Sequence, residues 1–118
     1  MAGPASTRKD RYQMLNLKAD KVLSNLQELY ATGFQDAFLD NALHKIVDRQ
    51  IERDENDLAR IQADMLPFER DYEMSSADFW RLYQAGQMAD TFDNFEWNVL
   101  CRAQERIEKR LVILRGSL

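Results

Sequence analysis

Between residues 47 and 68, side chains recur at alternating intervals of four and three: Val47, Ile51, Asp54, Leu58, Ile61, Met65 and Phe68. Six of these seven are apolar. A rhythm averaging 3.5 residues is that of a helix laying one seam along a neighbour, and a half-buried strand would need a period of two. Leu15, Ala19, Val22, Leu26 and Leu29 repeat the rhythm near the N-terminus, widened by Leu23 and Tyr30. A third stripe runs through Phe92, Phe95, Val99, Ala103, Ile107, Leu111 and Leu114, with Leu100 beside it. Three such seams leave little chain for anything but helix. Only four glycines and two prolines are present, too few for a sandwich or barrel that turns every 8–12 residues or so.

The remaining signals set boundaries. Gly33 follows the last periodic residue of the first seam, where a left-handed residue is expected, so the first helix spans about 8–32. Asp36 offers an N-cap for a second helix over 36–72, roughly 55 Å long. Leu39, Leu43 and Ile46 form its opening seam before the 47–68 seam takes over, giving a face broad enough for two neighbours. Pro67 removes a backbone donor and predicts a kink or an early stop. Ser75 with Asp78 reads as a capping box for a short helix near 76–85, closed by Gly86. Asp90 or Thr91 caps the last helix, and Gly116 ends it.

A short connection between long helices makes them antiparallel neighbours. The expected fold is all-α: an elongated antiparallel helical hairpin or three-helix coiled coil, with a short helical cap between the two long helices. Residues 1–7 read as a disordered lead-in and 8–116 as one helical domain. The start of the second helix is expected beside the end of the last, since these ends carry opposite excess charge. The first helix either folds back as a third strand or pairs with a second copy, so the chain is a monomer or a homodimer. Asp54 reads as a polar register-setter or as a carboxylate reaching out at the seam edge, against the sharper reading of a buried carboxylate with a task.

Eight of twelve aromatics fall between residues 68 and 97. One reading is a local aromatic core closing the hairpin bend. Phe79 and Trp80 are adjacent, about 100° apart around a helix, so both are buried only if that helix is covered on two sides. Phe95 and Trp97 diverge similarly. Aromatics left exposed here would be rimmed by acids, which suits a basic protein partner. The candidate contact set is Phe79, Trp80, Tyr83, Asp90, Asp93, Glu96 and Trp97.

Catalytic and metal chemistry finds little footing. His44 is the only histidine and Cys101 the only cysteine, so no zinc set arises and no disulfide forms within the chain. Cys101 reads as a small core hydrophobe and His44 as a surface or flanking side chain. Glycine-rich phosphate loops, Glu-x-x-His pairs and calcium loops are missing from the sequence. Residues 34–72 carry five basic against ten acidic groups, and 73–98 one against five. That balance disfavours nucleic acid and anionic membrane as partners. Residues 99–118 reverse it, with five basic against two acidic. No apolar run nears the ~20 residues of a membrane span. The expectation is a cytoplasmic, non-enzymatic chain without cofactor or metal.

The run "ADMLPFERDYEMSSADFWRLYQAGQMADTFDNFEWNVL" resembles a pattern in small helical proteins of bacteria, cyanobacteria especially. The matching positions are Phe68, Glu69, Tyr72, Met74, Ser75, Ser76, Phe79, Ala85, Gly86, Asp90, Asp93, Glu96 and Trp97. "LHKIVDRQIERDENDLARIQ" upstream is similar too. The resemblance covers most of 38–115 and departs at Pro67. Some of these proteins look like partners of small toxins, which implies an antitoxin-like role. The functional expectation is therefore a protein–protein interaction module contacting a basic partner through an aromatic–acidic cap. Its alternative is a structural, self-associating coiled coil with no specific client.

Overall fold

A computed structural model describes the backbone of residues 8–116 and the side chains of residues 18–116. Four helices make up its regular structure: α1 (Arg8–Ala31), α2 (Ala37–Tyr72), α3 (Ser76–Gln84) and α4 (Phe92–Leu114). Among the described residues there is no strand. The lead-in expected at residues 1–7 lies outside the described residues. The chain forms two compact units, Met1–Asn41 and Ala42–Leu118.

In the first unit, Gly33 takes φ +89°, the left-handed geometry that lets the chain leave α1. Asp36 Oδ1 then accepts from the Leu39 amide at 2.9 Å, capping α2 as its position suggested. The Tyr30 hydroxyl donates to Asp40, and Phe34 sits edge-on to the Tyr30 ring. The carboxylate pushes the Tyr30 hydroxyl up to about 12. Val22 and Leu23 on α1 are exposed and Leu26 is half-buried.

In the second unit α2 and α4 run antiparallel. Asp54 pairs with Arg110, Phe68 with Trp97, and Tyr72 with Asp93, so residue numbers rise on one helix as they fall on the other, and Arg115 beyond α4 pairs with Glu55. The end of α4 thus lies level with Glu55, midway along α2. The aromatic bend aligns the two helices at one end. α2 has 36 residues and α4 has 23, so the surplus length of α2 falls at the other end. Ile46, on the opening seam, is exposed accordingly.

The early stop expected at Pro67 does not occur, and α2 continues to Tyr72. Ala63, whose carbonyl loses its donor, is exposed to solvent, which limits the cost. The residue after Pro67, Phe68, packs against Trp97. α2 ends where Glu73 enters the left-handed region at φ 49°, with the Met74 amide donating to the Glu69 carbonyl at 3.2 Å.

The 47–68 seam is the inner face of α2: Asp54 and Met65 are buried, and Val47, Ile51, Leu58, Ile61 and Phe68 are half-buried. Asp54 does not reach outward. It is 1% exposed and accepts from Arg110 at 2.8 and 2.7 Å and from Gln50 Nε2 at 2.9 Å. The Arg110 guanidinium holds its carboxyl below the usual 3.8 against the opposing effect of burial. The polar position in the seam is thus a buried carboxylate whose partner stands on the opposite helix.

The stripe expected on α4 is buried at Ile107 and Leu111 and half-buried at Leu100, Ala103 and Leu114, but it fails at Phe92, Phe95 and Val99. Asn94, Trp97, Asn98 and Cys101 are the buried residues of its first half, while Phe92, Phe95 and Val99 face outward. The cause is α3, which packs on a second side of α4. The buried face therefore turns around α4 along its length, and a single stripe cannot describe it.

Candidate interaction surface

Trp97 anchors the bend. Its ring lies parallel to Phe79 at 4.0 Å, with Phe68 at 5.7 Å and Tyr72 at 5.9 Å. Its Nε1 donates to Ser76 Oγ at 2.8 Å, so the buried indole is satisfied. α3 is held in place to receive it. Ser75 Oγ accepts from the Asp78 amide at 3.1 Å, and Glu69 on α2 accepts from the Ser76 amide at 2.8 Å. Two acceptors thus serve the N-terminal amides of a nine-residue helix. Thr91, rather than Asp90, caps α4 by accepting from the Asn94 amide at 3.1 Å. Met65 and Cys101 complete the core. Burial, with the nearby Glu69 carboxylate, pushes the Cys101 thiol up to about 11, which suits a packing role and not a nucleophile.

Two of the expected contact residues are therefore interior. Phe79 and Trp97 are each 0% exposed and present no surface to a partner. Covered by α2 and α4, α3 buries Phe79 and leaves Trp80 half-buried. Trp80 and Tyr83 lie with rings near parallel, 6.4 Å apart. Asp90, Asp93 and Glu96 are exposed. Asp93 accepts from the Tyr72 hydroxyl at 2.7 Å, tying the start of α4 to the end of α2 and raising the Tyr72 pKa.

One exposed apolar strip lies on the part of α4 that sequence reasoning placed in the seam. Phe92 is 75% exposed, Phe95 59% and Val99 48%. Phe95 and Val99 border an open groove with Pro67, Phe68 and Leu100, and Asp64 and Glu96 stand at its edge. The missed signal lay in the divergence of Phe95 and Trp97. Once Trp97 with Cys101 is taken as the inner pair, Phe95 with Val99 must face out.

His44 is exposed. Among the described residues no three His, Cys, Asp or Glu side chains form a metal-binding group, and no helix is long and apolar enough to cross a membrane. No family model, curated protein or solved structure matches this chain.

Proposed function

We infer that this chain is a non-enzymatic protein–protein interaction module that covers a basic protein, in the manner of an antitoxin. The carrying observation is the strip Phe92–Phe95–Val99, exposed on a capped and well-packed helix and edged by Asp64, Asp93 and Glu96. Contiguous exposed aromatics with a charged rim are the composition of a contact core. The acids select a partner of opposite charge and speed its approach. Trp80 and Tyr83, half-buried on α3, line a groove with Arg102, Arg106 and Lys109 instead, whereas Phe79 and Trp97 hold the bend together from within. The resemblance to small bacterial helical proteins implies the same role.

Capture from the native host tests it. The intact chain should retain a basic protein, and Phe92→Asp with Phe95→Asp should release it while helicity stays unchanged. Asp93→Asn with Glu96→Gln should weaken retention and its dependence on salt together. Capture that is indifferent to all four substitutions would refute the assignment.

A further inference from the structure

We propose that the exposed face of α4 also pairs, antiparallel, with the same face of a second copy of this chain. This rests on the reading of Phe92, Phe95 and Val99 as a contact strip and adds a second occupant for it. Phe92, Phe95 and Val99 begin a longer row that continues through Arg102, Arg106, Lys109 and Ile113 at spacings of 3, 4, 3, 4, 3 and 4. All seven side chains are exposed. The row is a heptad seam exposed among the described residues, roughly 31 Å long at 1.5 Å per residue.

Its polarity identifies the occupant. The first half is apolar and edged by Asp93 and Glu96, and the second half presents three cations. Under a two-fold axis the first half of one copy lies on the second half of the other, so the face is its own complement. Centring the axis between Val99 and Arg102 sets Phe95 beside Arg106 of the second copy and Phe92 beside Lys109 of the second copy. Guanidinium and ammonium groups then meet aromatic faces, and their aliphatic stems cover apolar surface. Glu96 comes within reach of Arg106 of the second copy. Within the chain Lys109 is shared with Glu105 at 3.1 Å, an exposed pair of little energetic weight. Self-pairing would shield the strip until a client displaces it.

Sedimentation of the purified full-length chain over roughly a hundredfold in concentration tests this directly. A concentration-dependent dimer is expected. Arg106→Glu and Glu96→Arg should each raise the dissociation constant at least tenfold, since each opposes like charges twice. An equimolar mixture of the two variants should restore the dimer. In that hybrid one of the two symmetry-related pairs keeps its native charges and the other has both charges exchanged, so each pair remains attractive. Both side chains are exposed, so unchanged circular dichroism should accompany each variant. A monomer at every concentration, a dimer indifferent to both substitutions, or a mixture that stays monomeric would overturn the proposal. So would a dimer abolished by Val22→Asp with Leu26→Asp in α1 and untouched by the changes on α4. Client capture is measured separately, so its success or failure leaves this outcome independent.

Discussion

At the scale of single residues, Trp97 concentrates the second unit's stability. Its ring touches three other aromatics and its nitrogen has one buried partner. Trp97→Ala should cost about 3–5 kcal/mol in urea unfolding. Ser76→Ala leaves the indole N–H without its acceptor and should cost about 1–3 kcal/mol despite removing one atom. A loss below a few tenths would show that water reaches the indole. Asp54 governs the acid limb of stability. Its folded pKa lies below the usual 3.8, so its contribution is complete above that value and fades as pH falls through the lower folded value. The urea midpoint should therefore hold from neutral pH to about 4 and drop below it. Asp54→Asn should begin lower at neutral pH and flatten that drop; an unchanged acid limb would assign it to other carboxylates.

At the scale of elements, each helix end has its own device, and some were readable in advance. Asp36 and Ser75 cap as their residue types suggest, because a short side-chain oxygen next to a helix start has few other uses. The exit from α2 was not signposted in the same way. It relies on Glu73 in left-handed geometry, which costs a side-chain-bearing residue about 1–2 kcal/mol. Glu73→Gly removes that strain and should leave the thermal midpoint unchanged or raise it by a few degrees. A lowered midpoint would mean that the Glu73 side chain contributes a contact beyond its backbone. Pro67 illustrates the converse: a strong local stop signal was overridden because packing on both sides continued the helix.

At the scale of the whole molecule, the aromatics around the bend divide into support and surface. Phe79→Ala and Trp97→Ala should lower the unfolding midpoint sharply, whereas Phe92→Asp and Phe95→Asp should leave it within the ordinary surface range of about 0.5 kcal/mol. Equal destabilisation by both sets would mean that the strip is covered after all. This division marks what the chain's letters determined. Seam rhythm, cap residues and the scarcity of turn formers dictated the helices and where α2, α3 and α4 begin, because each depends on neighbours a few positions away. The facing of Phe95 against Trp97, the depth of Asp54 and the alignment of the end of α4 with Glu55 depended on α3 packing against a second side of α4 and on one ion pair spanning 56 residues. Periodicity identifies which residues share a face of a helix. Only the neighbours that arrive in three dimensions select which face is covered.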